Sequence, residues 1–297
     1  NKISFNQCGM NLYEFEGKNL FIKHGIAVPA GVVVRRGDNV MTAYESLGVA
    51  DVVVKAQVLS GKRGKNNWVR FCSSVQDVVM AVKEIFEMNI RGQYVAAVRI
   101  EEKLSIAEEH YLSITYDTNR KQPVLIYSKQ GGVDIEEVPE EKIEKVLLDV
   151  RQQILPLLGK EGPLRPQSKG GVVDSVEDKV FPQTSHESTT PPALGLGAPP
   201  FQGGVHEIVQ QLWQCFLQED CRLVEINPLV KTTDGRWIAA DAKVAIDDDA
   251  FFRHEEWKEL EPRTMLGRLP TERELAVKKI DEGETYYRGT AGKYIEL

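Results

Sequence analysis

The stretch Val224-Glu225-Ile226-Asn227-Pro228-Leu229, with Asp241-Ala242-Lys243 downstream, has the residue types and spacing of a hard-cation site. A carboxylate, a carboxamide and a second carboxylate fall at the ends of two short apolar strands, Cys221 to Ile226 and Trp237 to Ala240. The turn Thr232-Thr233-Asp234-Gly235 between them has hairpin chemistry, so the strand ends are expected side by side. Asn227 and Asp241 then converge as oxygen ligands of the kind Mg²⁺ accepts together with nucleotide phosphates. Pro228 is expected to end the first strand and to fix where Asn227 points.

A second set lies upstream. The β-branched run Val52-Val53-Val54 leads into Lys55-Ala56-Gln57-Val58, a buried strand whose ammonium needs an anionic partner. Leu59-Ser60-Gly61-Lys62-Arg63-Gly64-Lys65 follows, with glycines that allow close backbone approach and three cations that attract phosphate. The Walker spacing is absent, and a basic surface turn accounts for these residue types equally well. A third set is Glu101, closing an apolar strand, and Glu109, opening an alternating one. Carboxylates bracketing so short a connection suit the hydroxyls of a sugar or, through the adjacent backbone, an adenine. The alternative is a pair of solvated acids.

These side chains need elements to hold them. Helix is expected near Asn11–His24, and strand near Val28–Arg36. Asp38 is placed to cap a short second helix. Ser74–Met88 reads as a helix with Val75, Val78, Val79, Val82 and Ile85 on one face. Strands near Tyr94–Ile100, Tyr111–Asp117 and Pro123–Ser128 are expected in one antiparallel sheet. Glu140–Leu158 has helical spacing, with Ile143, Val146, Leu147, Val150 and Ile154 toward the core, and Val205–Leu217 gives a further helix before the metal hairpin. Between Gly162 and Gly203 lie half of the 14 prolines and few large apolar groups, so the stretch reads as a mobile insertion. A tolerated surface insertion is favoured over a lid or a partner-contacting arm.

With 297 residues the chain can bury a sizeable core, better divided between two subdomains than held in one. Its net charge of −7 makes nucleic acid an unexpected partner despite the local basic loop. No apolar run approaches the roughly 20 residues of a membrane span, and no signal-peptide pattern opens the chain. Cys8, Cys72, Cys215 and Cys221 lack zinc-site spacing, and the last two read as reduced core residues of an intracellular protein.

Five ordered segments carry a family resemblance: Met10 to Lys18, Lys55 to Val58, Arg63-Gly64-Lys65, Gly131-Gly132-Val133-Asp134-Ile135-Glu136, and Glu225 to Leu229 with Asp241 to Lys243. In this order they resemble the nucleotide-binding half of the ADP-forming acyl-CoA ligases, a group comprising succinyl-CoA synthetase β subunits, citryl-CoA synthetases and ATP-citrate lyases. The resemblance implies an ATP-grasp fold, α+β or α/β in class, over residues 10–245, in which two subdomains hold Mg-ATP. It assigns Lys55, Gly61, Lys62, Arg63 and Gly64 to the phosphates, Glu101 to the base region, Glu109 to the ribose, and Asn227 and Asp241 to Mg²⁺. Pro29 leans the nucleotide toward ATP over GTP.

The resemblance also implies a phosphoryl relay through a histidine of an α-type, CoA-binding partner, in a hetero-oligomer located in the cytoplasm or, in a eukaryote, the mitochondrial matrix. None of the five histidines sits in such a motif, and His110 reads as an ordinary strand-face residue. CoA is then a co-substrate of the complete enzyme. Lys62 in place of the second glycine of the loop, with Tyr111-Leu112-Ser113-Ile114, resembles the citrate branch, whereas Lys55-Ala56-Gln57-Val58 resembles the succinate branch. Family β subunits continue into a flavodoxin-like ligase domain. Residues 246–297 are expected to be a linker toward that domain, with the sequence either a fragment or completed by another chain. Two other readings stand beside this one: a nucleotide-binding regulatory subunit without chemistry, and a different ATP-grasp carboxylate ligase.

Overall fold

The computed structural model describes residues 10–59, 68–90, 93–150, 204–260, 271–273 and 276. The Gly61–Lys65 loop and the 162–203 insertion lie outside these residues. In chain order the elements are β1 (Met10–Asn11), α1 (Glu14–Lys23), β2 (Gly31–Val34), α2 (Val40–Glu45), β3 (Val52–Gln57), β4 (Val69–Cys72), α3 (Val75–Glu87), β5 (Asn89–Ile90) and β6 (Gln93–Tyr94). There follow β7 (Ala97–Glu102), β8 (Ile106–Asp117), β9 (Gln122–Ser128), β10 (Glu144–Leu147), α4 (Val205–Gln218), β11 (Cys221–Thr232), β12 (Trp237–Ala239) and β13 (Lys243–Ile246). Two 3₁₀ turns, Asp248–Arg253 and Glu255–Glu259, come after β13.

The strands make two main antiparallel sheets, each with its own core. The smaller runs β2-β7-β3-β4, and α3 covers it with Val78, Val82 and Ile85 buried. The larger runs β1-β13-β11-β8-β9-β10, with β12 also on β11, and α4 packs Leu212, Trp213 and Phe216 onto it. Helix α1 lies against the larger core through Phe21. Two subdomains are thus observed, as expected. The expected single sheet is not: β7 belongs to the smaller sheet while β8 and β9 belong to the larger, and Lys103–Ser105 crosses between them. That division rests on long-range ladders, β7 on β2 and β3, and β8 on β11, which local alternation cannot reveal.

Other expectations are corrected at the level of single elements. Residues 140–147 form a 3₁₀ turn and strand β10 instead of a helix. Ile143 and Leu147 pack with Tyr111, Val124 and Ile126, while Val146 packs into the larger core. Apolar groups are therefore wanted on both faces of the strand, and their spacing imitates a helix. The short second helix is capped by Asn39, whose Oδ1 accepts from Met41 N and Thr42 N, whereas Asp38 accepts from Arg35 N in the preceding turn. Val79 on α3 is exposed. Finally, β13 reaches Ile246, and Ala250 and Trp257 enter the larger core, so the folded unit continues past residue 245 into the stretch expected to be linker.

Candidate functional site

The two sheets meet at a buried ionic joint. Lys55, on β3 of the smaller sheet, places its Nζ on Glu101 Oε1 at 2.5 Å and Glu14 Oε1 at 3.2 Å, and donates to the Ala240 carbonyl at 2.8 Å. Lys18, one turn along α1 from Glu14, reaches Glu14 Oε1 at 2.8 Å, Glu101 Oε2 at 2.6 Å and the same Ala240 carbonyl at 2.9 Å. Arg99 Nε donates to Glu101 Oε2 at 2.9 Å and its Nη2 to Pro29 O at 3.1 Å. Gln57 closes the set, donating to Glu14 Oε2 and accepting from Phe15 N. The anionic partner demanded by a buried Lys55 is thus supplied twice.

Electrostatics follow from this crowding. Burial alone would depress Lys55, but Glu14, Glu101 and Asp241 together hold its pKa above the usual lysine value. Burial presses Lys18 below that value, against the pull of Glu14 and with the repulsion of Lys55. Glu101 would be raised by burial, yet Lys55 and Lys18 hold it below the usual carboxylate range. Lys18, Lys55 and Arg99 face Glu14 and Glu101, Asp241 adds negative charge beside Lys55, and Lys55, 14 % exposed, is the cation that borders solvent. A cation at the rim of a desolvated cluster is placed to meet an incoming anion.

Ala240, which both lysines hold, directly precedes Asp241. Strands β12 and β13 both pair with the same edge of β11, Leu229 opposite Ala239 and Glu225 opposite Lys243. The register is the same on both sides of the break, so Asp241 lies opposite Asn227, and Ala240 N donates to Pro228 O at 3.1 Å. The expected convergence of Asn227 and Asp241 is present, but Pro228 does not end the strand. β11 continues to Thr232, and a register shift against β8 between Ile226 and Leu229 absorbs the missing N–H.

Asn227 is aimed by a loop rather than by Pro228. Its Oδ1 accepts from Gly132 N at 2.8 Å and its Nδ2 donates to Val133 O at 2.9 Å. The loop needs both glycines. A Cβ on Gly131 would lie 2.3 Å from the His110 carbonyl oxygen, and Gly132 has φ +72°. His110 beneath it is buried, with Nδ1 2.7 Å from Tyr127 Oη. Glu225 is also near: Tyr111 Oη donates to it at 3.2 Å, and burial, then Asp241 and Glu136, raise its pKa against the pull of Lys243.

The donor set suits Mg²⁺. Asn227 Oδ1 accepts one hydrogen bond and keeps a second lone pair, Asp241 adds carboxylate oxygen, and Glu225 is a third hard donor close by. Among the other expected residues, Glu109 is exposed on β8 with its carboxylate against Gly132, on the Asn227 side of the site. Glu101 is 2 % exposed with both oxygens engaged, so it serves as the inner partner of the lysines. Glu101 and Glu109 lie in different sheets, on either side of the crossing connection. The other expected phosphate contacts, Gly61, Lys62, Arg63 and Gly64, fall outside the described residues. Sequence reasoning missed Glu14, Lys18, Arg99 and Gln57. One signal was available: Glu14, Lys18 and Phe21 share a helical stripe, which puts two charged groups on a buried face.

Comparison with known proteins identifies the fold and its family. The family model for the ATP-grasp domain matches residues 11–181. The β subunit of ADP-forming succinate–CoA ligase from Methanocaldococcus jannaschii is 37 % identical over 263 residues, covering 86 % of this chain and 63 % of the relative. The corresponding Bacteroides fragilis subunit is 34 % identical over 255 residues, covering 86 % and 60 %. This chain therefore spans less than two thirds of the length of these relatives. Among solved structures, ATP citrate lyase from Methanothrix soehngenii, in complex with citrate and coenzyme A, aligns with a TM-score of 0.62 at 20 % identity, covering 93 % of this chain and 60 % of that one. At that identity the likeness shows the fold. The matched model covers more than half of the chain, and the chain belongs to the ATP-grasp family, with succinate–CoA ligase β subunits among its relatives.

Proposed function

We propose that this chain is the nucleotide-binding part of an ADP-forming acid–CoA ligase. One observation carries the reading: the Ala240 carbonyl ties the solvent-bordering Lys55 to the residue before Asp241, so a cation suited to phosphate and a carboxylate suited to a metal share one joint between the sheets. In this reading Mg-ATP binds there, with Lys55 exchanging part of its carboxylate contact for phosphate oxygen. Gly61, Lys62, Arg63 and Gly64 supply further phosphate contacts, and Glu109 is the ribose-side acceptor. Asn227 and Asp241 hold Mg²⁺, which when bound neutralises charge on the phosphates. The chain's own contribution is positioning and electrostatics, because phosphoryl transfer asks little covalent chemistry of the protein.

The γ-phosphoryl group then passes to a histidine of an α-type, CoA-binding partner and on to a carboxylate, giving an acyl phosphate that CoA attacks. Succinate is the first acid to test, since the relatives bearing its name are 33–37 % identical, whereas the citrate-bound neighbour supports the fold alone. Calorimetric titration with ATP, GTP and ADP, with and without Mg²⁺, tests the nucleotide half. The expected result is Mg²⁺-dependent binding of ATP, weakened about ten- to a hundredfold in Lys55→Ala and in Asp241→Ala. A folded chain that binds no nucleotide, or variants that bind Mg-ATP normally, would overturn the assignment.

A further inference from the structure

We propose that His254, Glu219 and Glu256 form a second metal site, for a divalent transition-metal ion of the zinc class. A carboxylate oxygen of Glu219, a ring nitrogen of His254 and a carboxylate oxygen of Glu256 lie within 4.8 Å of one another. The cluster joins the turn between α4 and β11 to the two 3₁₀ turns after β13. It sits at the C-terminal end of α1, roughly 14 Å along the helix from Glu14 and the nucleotide joint.

Three features make this a built site. His254 Nε2 lies 2.8 Å from Asp220 Oδ2, and its ring stacks on Trp257 with centroids 3.8 Å apart. With the Nε2 proton given to Asp220, Nδ1 turns its lone pair toward Glu256 Oε1, 3.6 Å away. Two acceptors facing each other need a cation or a proton between them, and a carboxylate-oriented imidazole is the usual support of a metal ligand. Second, Glu219 is buried and its Oε2 has no hydrogen-bond partner among the described residues. A buried carboxylate oxygen calls for a partner, and an ion held by the cluster would supply one. Third, Lys23 Nζ already stands at 2.8 Å from Glu219 Oε1 and 3.4 Å from Glu256 Oε1, an internal cation bridging the same two acids. Its side chain is 54 % exposed and can withdraw into solvent. His24 Nε2, 2.8 Å from Glu219 Oε1, holds the same carboxylate oxygen as Lys23.

One nitrogen and two oxygen donors with a coordination position left open is a set zinc accepts, whereas Mg²⁺ favours oxygen alone. The bound ion would fasten the 3₁₀ turns to α4 and α1. The test is Zn²⁺ titration of the full chain against a competing chromophoric chelator, in excess Mg²⁺ and with thiols reduced. One equivalent is expected per wild-type chain. Glu256→Gln, at an exposed position that leaves the fold intact, should weaken it at least about tenfold. Asp220→Asn should do so about 10- to 100-fold; asparagine tolerates the φ of +43° found there. Lys23→Met, by removing the competing cation, should tighten it. Absence of zinc from folded wild type overturns the proposal. So does affinity unchanged in both Glu256→Gln and Asp220→Asn, as zinc bound at thiols would give. A Lys23→Met variant that binds no more tightly also overturns it, since the cluster is then an ordinary ion-pair network.

Discussion

Lys18 and Lys55 share two carboxylates and one carbonyl, yet their neighbours' demands give them different work. Lys18 has no exposed surface and borders no opening, so its removal leaves Glu14 and Glu101 with less compensation in a desolvated place. Lys18→Met should therefore destabilise the fold by about 3–5 kcal/mol, the usual loss when one partner of a buried pair is removed. Urea unfolding checks it: the midpoint should fall with the slope unchanged. Lys55→Met should lower the midpoint less, because Lys18 and Arg99 still hold Glu101, while losing nucleotide affinity as above. Equal midpoints for the two variants would remove the distinction. From the sequence, a charge at the end of Val52-Val53-Val54 announced that Lys55 needed an anion. Which anion could not be read, because Glu14 and Glu101 are 41 and 46 positions away and come together only when α1 crosses the sheet junction.

At the scale of elements, the segment over Asn227 is the tightest local constraint in the site. Gly131→Ala would put a methyl group against the His110 backbone, which has no freedom to yield where β8 pairs with β11. The loop must lift, and with it the two hydrogen bonds that orient the Asn227 carboxamide. The expected cost is about 1–3 kcal/mol of stability, together with weaker Mg²⁺ dependence of nucleotide binding. Calorimetry on Gly131→Ala in a Mg²⁺ series reads both consequences, and an unchanged Mg²⁺ dependence would mean the loop does not aim Asn227. The hairpin that sets Asn227 opposite Asp241 was legible because turn chemistry is local, whereas Gly131-Gly132 stood out only through the family resemblance. β10 was not, because a strand with apolar contacts on both faces has no period of two to show. The crossing of Lys103–Ser105 between sheets was hidden for a similar reason: nothing in Glu101-Glu102 or Ile106-Ala107 states which distant strand each will pair with.

For the molecule as a whole, the ionic joint couples two cores that otherwise fold around separate sheets, and that coupling should depend on pH. The Glu101 pKa is depressed in the folded protein by Lys55 and Lys18 acting against burial. Its stabilising contribution is therefore complete above the usual glutamate value near ~4.3 and is lost as pH falls through the lower folded value. Glu14 faces the same two ammonium groups, so the charge balance of the joint does not rest on Glu101 alone. Once Glu101 is neutral, Lys18, Lys55 and Arg99 lose a counter-charge they share, and the interface between the sheets is the place to fail. Thermal unfolding from pH 7 down to pH 3 should show a steeper fall for wild type than for Glu101→Gln, which cannot titrate there. The variant should start lower at pH 7 and converge on wild type in acid. Parallel curves across the whole range would place the acid-sensitive groups on the surface instead, at pairs such as Glu108 with Lys231, and would deny the joint its part in holding the two subdomains together.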